Sequence, residues 1–263
     1  MKNEKSEVFH ECIMYVQSLK QQEWTYDRYD GLIKLLLKAS DEAYASFNAR
    51  IIPNIDRQSI IGIRLPMMRK LVSRIVSTDV NSYLEIAKEQ IRTNSCYLEE
   101  KMMLSFVIGK LKDIDQAIVE ILEFVPFIDN WSVNDSFCAS LKITKEYPEK
   151  MYEVIQPMIY SDDAYTIRFA LVMMIDYYMN EQYVLEILNF CNQIKHKDYY
   201  VKMAVAWTIS ICYLKCKEQT MSYLLNNQLD SFTYRKAIQK ILESRVPCAD
   251  EKEYLKTLRD QIE

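Results

Sequence analysis

The chain has 263 residues, 49% apolar and 27% charged, which is the composition of a globular protein with ample side chain for a core. Glycine occurs only three times (Gly31, Gly62, Gly109), where average usage would give about 18. Hairpins and phosphate-cradling loops draw on glycine for positive φ, so the scarcity argues against a β-sandwich, a dinucleotide-binding domain or a P-loop enzyme, and for a nearly all-α chain. Thirty-three Lys and Arg stand against 37 Asp and Glu, a net charge of −4; this excludes a uniformly basic nucleic-acid binder but not a locally basic face, because the field depends on where charges sit.

Residues 1–28 read as a helical N-terminal extension, and residues 29–263 as one repeat domain. The opening MKNEKSEVFHECIMYVQ has no signal-peptide pattern. Trp24, Tyr26 and Tyr29 are placed to cover the apolar edge of the first repeat, since the ends of a stacked-repeat protein need capping. Seven cysteines (Cys12, Cys96, Cys138, Cys191, Cys212, Cys216, Cys248) include no CxxC, and two histidines leave no zinc box. The odd count fits free thiols in a reducing cytoplasm. No metal or cofactor is expected, and no apolar run approaches the 18 residues of a membrane span.

Further along, Pro53, Pro66, Pro126, Pro148, Pro157 and Pro247 fall between periodic segments or in first turns, where proline's missing N–H is tolerated. The clearest helix is 163–179. Its Ile167, Ala170, Leu171, Met174 and Tyr178 recur at i, i+3, i+4, i+7 and i+11, an amphipathic stripe. Short polar joints at 161–163 (SDD) and 196–198 (HKD) leave room for little but antiparallel neighbours.

Three of the helices share a pattern of basic residue, any residue, alanine and aliphatic residue: Arg168-Phe-Ala-Leu, Lys202-Met-Ala-Val and Arg235-Lys-Ala-Ile. Extended backwards at 32–34 residues, the register reads Arg69, Lys101, Asp135, Arg168, Lys202, Arg235. That period fits a helical-hairpin solenoid in which each unit buries its face against its neighbours. The expected architecture is an all-α, HEAT-like helical-repeat solenoid (an α-α superhelix) with a concave basic groove. Corresponding positions of a solenoid line up along one surface. Five cations in six positions are either a track for a phosphodiester backbone or ordinary solvated charges in mid-helix.

Asp135 breaks the cationic series. Trp131 lies one turn before it, Tyr165 lies three residues before Arg168, and Trp207 lies five after Lys202. One acid among aromatics can hold a cation or a developing positive charge. A core tryptophan and an aspartate serving a helix's first turn are the alternative.

At these residues the chain resembles the DNA alkylation repair family, the alkylpurine DNA glycosylases built from HEAT-like repeats. The resemblance lies in residues 51–71 (IIPNIDRQSIIGIRLPMMRKL), 129–137 (DNWSVNDSF), 164–174 (AYTIRFALVMM), 199–207 (YYVKMAVAW) and 232–245 (FTYRKAIQKILESR), in order. It covers roughly residues 30–260. It implies hydrolysis of the N-glycosidic bond of cationic N3- or N7-alkylated purines in double-stranded DNA, without flipping the base out; a repeat scaffold that binds DNA as one clamp is expected to be a monomer. The resemblance assigns Asp135 as the acid, Trp131 and Trp207 as walls around the lesion, and Arg168 as the contact to the neighbouring phosphate. Arg69, Lys101, Tyr165, Lys202, Arg235 and Lys236 are expected to contact DNA; Lys240 shares a helix with Arg235 and faces solvent. His10 and His196 lie outside the matched stretches, which suits a leaving group that needs no protonation. Two other readings share this sequence: a non-catalytic DNA-binding relative of the same fold, and a helical-repeat scaffold for a protein partner. Base release from N7-methylguanine DNA separates them.

Overall fold

The structure, a computed structural model, describes residues 2–52, 54–93 and 95–261, with side chains from residue 7 onward. Pro53 lies outside the described residues. Among them the chain forms fifteen α-helices, a few 3-10 turns and no strand, and no helix is long and apolar enough to cross a membrane. The chain divides into two units, residues 1–143 and 144–263.

The first unit holds α1 (Lys2–Ser18), α2 (Tyr26–Lys38), α3 (Glu42–Ile51), α4 (Leu65–Ile75), α5 (Val80–Arg92), α6 (Leu98–Ile108), α7 (Ile114–Phe124) and α8 (Trp131–Cys138). Here α4, α6 and α8 pack in series, α1 lies against α2 and α4, α5 lies against α2 and α6, and α7 lies on α6. The extension is thus helical over α1, and the boundary drawn at residue 28 falls inside α2. Trp24 and Tyr29 are buried. The Trp24 indole N–H donates to Thr78 Oγ1 at 2.8 Å, and its ring meets Tyr83 edge-on at 5.1 Å. Tyr26 stays exposed, bonded to Glu89.

The second unit holds α9 (Pro148–Ile155), α10 (Ala164–Tyr177), α11 (Val184–Gln193), α12 (Tyr199–Lys215), α13 (Lys217–Leu225), α14 (Ser231–Glu243) and α15 (Ala249–Asp260). Here α10, α12 and α14 pack in series, with α9 on α10, α11 and α13 on α12, and α15 on α14.

Local chemistry sets the helix starts. Asp41, Asp79, Asp113, Asn130, Asp163, Asp198 and Asp230 are N-caps whose side-chain oxygens accept first-turn N–H groups, satisfying donors that have no intrahelical partner. Pro66, Pro126, Pro148 and Pro157 sit in first turns, as expected. The helix expected over 163–179 spans Ala164–Tyr177. Its buried surface is wider than one stripe: Phe169, Val172 and Met173 are buried along with Ile167, Ala170, Leu171 and Met174. A helix packed against α9 on one side and α12 on the other has little face left for water.

The register survives in the structure. Its six positions lie on α4, α6, α8, α10, α12 and α14, the helices that pack in series within each unit. Each follows its helix's N-cap by four or five residues.

Candidate functional site

In the first unit, α8 begins at Trp131. Its N-cap Asn130, 1% exposed, accepts the Val133 N–H at 3.0 Å through Oδ1 and donates through Nδ2 to Asp129 at 2.8 Å. The half-buried Trp131 donates its indole N–H to the carbonyl of Ile51 at 3.1 Å. That carbonyl belongs to the last turn of α3, where helical C=O groups lack partners. The indole plane is therefore fixed by a bond to a segment eighty residues away. Asp135 follows one turn later, half-buried, with Oδ1 accepting from the Asn134 side-chain amide at 3.0 Å. Trp131 and Asp135 thus share one short helix and one side of it.

Beside the start of α8 lies a polar cleft of about 240 Å³, lined in part by Asp56, Ser59, Lys101, Asp129 and Asn130. Lys101 is bound to Asp129 at 2.6 Å, with its side chain only 12% exposed. Arg69 is exposed, with its guanidinium 4.3 Å from the centre of the buried Phe106 ring.

Glu99, at the first turn of α6, is 1% exposed. Its carboxylate accepts the backbone N–H groups of Ile61, Gly62 and Ile63 at 2.9, 2.7 and 3.1 Å. Gly62 has φ +96°, and a Cβ there would collide with the Asp41 carbonyl and lie 3.0 Å from the Ala45 Cβ. Only glycine fits this turn. The clasp ties the segment leading into α4 to α6, and so sets where Arg69 stands relative to Lys101. Sequence reasoning missed it; the acidic pair opening a helix at Glu99 and Glu100 was the available signal.

In the second unit, Arg168 is 7% exposed and donates to the Tyr200 carbonyl at 3.1 Å, in the first turn of α12. Tyr165 is buried and stacks on Tyr200 with ring centres 5.9 Å apart. Lys202 pairs with Asp230 at 3.1 Å, and both Lys202 and Lys236 place their ammonium groups by the Phe232 ring, at 5.8 and 5.9 Å from its centre. Trp207 is half-buried on α12, and Arg235 is exposed on α14. The structure therefore brings together Trp131 with Asp135, and Lys202 with Lys236. Lys101 and Lys202 share an unforeseen feature: each pairs with an aspartate 28 residues on, beside or at the N-cap of the next helix in series.

Charge sorts by helix. Within their bounds the six register helices carry ten Lys and Arg against five Asp and Glu, whereas the interleaved α5, α7, α9, α11, α13 and α15 carry seven against thirteen. The net acidity of the chain is thus not shared by the helices that bear the register.

Fold and charge pattern together define a helical-repeat protein whose alternate helices, taken together, carry more cations than acids, with an indole–carboxylate pair on one of them. Residues 32–241 match the sequence model of the family described as DNA alkylation repair enzyme, and the chain belongs to that family. Membership carries a role in DNA repair with DNA as substrate. Neither the curated proteins nor the solved structures gave a significant match.

Proposed function

We propose that this protein is a monomeric DNA glycosylase that hydrolyses the N-glycosidic bond of cationic N3- or N7-alkylated purines in duplex DNA without flipping the base. The observation that carries the reading is Asp135, a half-exposed carboxylate one turn after Trp131 on a helix whose indole is pinned to Ile51, in a chain of the alkylation repair family.

An alkylated purine with a formal positive charge leaves without protonation, so the barrier lies in the oxocarbenium-like sugar. An anionic Asp135 stabilises that cation and orients the attacking water. Trp131 and Trp207 flank the sugar and lesion, and Arg168 contacts the adjacent phosphate. Arg69, Lys101, Tyr165, Lys202, Arg235 and Lys236 line the path of the backbone. The excess of cations on the register helices supports that path, and the seven free cysteines fit the cytoplasm.

The test is release of free base from duplex DNA containing N7-methylguanine. Wild type releases it, and Asp135→Asn lowers the rate by about 10²-fold or more, the scale of losing one preorganised electrostatic contact. Tight duplex binding with no release by wild type would establish instead a non-catalytic DNA-binding protein. Neither binding nor release would leave a scaffold.

A further inference from the structure

Asn134 lies on the buried face of α8 with Val133, Phe137 and Cys138, and all four side chains are fully buried. A primary amide there brings donors and an acceptor that the core has to satisfy. The other buried asparagine of this helix, Asn130, uses both ends of its amide: Oδ1 caps the Val133 N–H and Nδ2 donates to Asp129. Asn134 uses one. Its Nδ2 donates to Asp135 Oδ1 at 3.0 Å, while its Oδ1 is buried with no hydrogen-bond partner among the described residues. Turning the amide over gives no relief, because an ionised carboxylate only accepts and would then face a second acceptor.

Packing does not explain this residue. A buried acceptor without a partner destabilises the fold, and an apolar side chain of similar size would fill the same face without one. Helix initiation does not explain it either, since Asn130 already caps α8. What the amide reaches is Asp135. Successive helical residues point about 100° apart and do not face each other, so this bond requires particular rotamers of both side chains rather than following from helix geometry. An N–H donated to a carboxylate is charge-assisted. It directs the carboxylate best when the donor itself cannot move, and full burial immobilises Asn134.

We infer that Asn134 is a positioning residue for base release. Anchored in the core under α8, its amide holds Asp135 by Oδ1, so that the carboxylate meets the oxocarbenium-like sugar in one orientation beside Trp131. The inference rests on the glycosylase reading, with Asp135 as its acid, and adds a group that acts only through that acid and touches neither DNA nor lesion.

Asn134→Val and Asn134→Ala both delete the donor, and the smaller alanine guards against overpacking by the valine. For each, in the wild-type and the Asp135→Ala backgrounds, three quantities are measured: single-turnover base release from duplex DNA containing N7-methylguanine, affinity for that duplex, and unfolding in urea. In the wild-type background the release rate is expected to fall by about 10- to 100-fold, the scale of misplacing a reacting group, with duplex affinity unchanged. Asn134→Val should unfold at no lower urea than wild type, because it also removes the orphaned oxygen. In the Asp135→Ala background neither substitution should lower release further, since a residue that acts only through another is not additive with it. Wild-type release by both variants, an equal fall in both backgrounds, or a loss of folded protein in both variants that accounts for the lost rate each overturns the inference and leaves the glycosylase standing. No release by wild type overturns the glycosylase and the inference with it.

Discussion

Glu99 and Glu100 are buried carboxylates at the start of α6, and burial pushes both above their usual range, against the pull of the backbone N–H groups they accept. An acid whose folded value is raised binds its proton more tightly folded than unfolded. Its contribution to stability is complete below the unfolded value of about 4.5 and is lost as pH rises through the folded one. Asp230 runs the other way: bonds from Thr233 and Lys202 outweigh its desolvation and hold it below its usual value, so its contribution is lost as pH falls through the folded value. Glu100→Gln is neutral at all pH and isolates the first effect. In urea titrations from pH 4.5 to 7, wild type should lose stability relative to Glu100→Gln as pH rises; a gain would show that the hydrogen bond from the Tyr97 N–H (2.7 Å) governs Glu100 rather than burial. The type and position of these residues were plain in the sequence. Their burial was not, because it depends on the turn at Gly62 and on α5 packing against α6.

At the scale of the element, α8 is short, eight residues, and carries both the indole and the carboxylate. A helix this short is marginal by itself, so its start is held by its cap and by the Trp131–Ile51 bond. Asn130→Ala removes the acceptor for the Val133 N–H and should destabilise the protein by about 1 kcal/mol, the usual cost of losing an Asn cap, measured by denaturant unfolding. Asn130→Ser keeps an uncharged cap acceptor without setting a second carboxylate against Asp129, and should recover most of that stability. If base release falls with Asn130→Ala and returns with Asn130→Ser, the cap positions Trp131 and Asp135; equal stability in all three proteins would show that the indole bond alone fixes α8. Sequence spacing found the Trp131–Asp135 pair because residues four apart share a helix face. It did not reveal the bond to Ile51, which joins segments with no common periodicity.

For the whole molecule, the net charge of −4 means that DNA affinity has to come from where charges sit. The register positions are not equivalent in this respect. Arg69 is exposed over an aromatic ring, whereas Lys101 is nearly covered and already bound to Asp129. Arg69→Gln should reduce the salt slope of duplex binding by about 0.9, the signature of one lost phosphate contact. Lys101→Gln should change it less and instead lower stability, because it removes the ion pair with Asp129 and leaves that carboxylate only the Asn130 amide. Equal slope changes for the two would mean that Lys101 exchanges its aspartate for phosphate on binding.

The all-α class, the 32–34 residue period and the assignment of the six register positions to alternate helices were legible in the sequence alone, as was the family. These properties are written in neighbours a few residues apart: proline and glycine usage, aspartate before first turns, and apolar side chains at helical spacing. Only the tertiary structure decided that Arg168 is buried against the Tyr200 carbonyl, that Lys101 and Lys202 are paired, that Glu99 clasps the turn before α4, and that Lys195 and His196 bond the Gln228 and Asp162 carbonyls. Each of these contacts joins residues about 28 to 38 apart in the chain. Periodicity says that two helices pack, but which side chain meets which is set by side-chain volumes, helix rotation and loop paths, and these are resolved only when the distant segments come together.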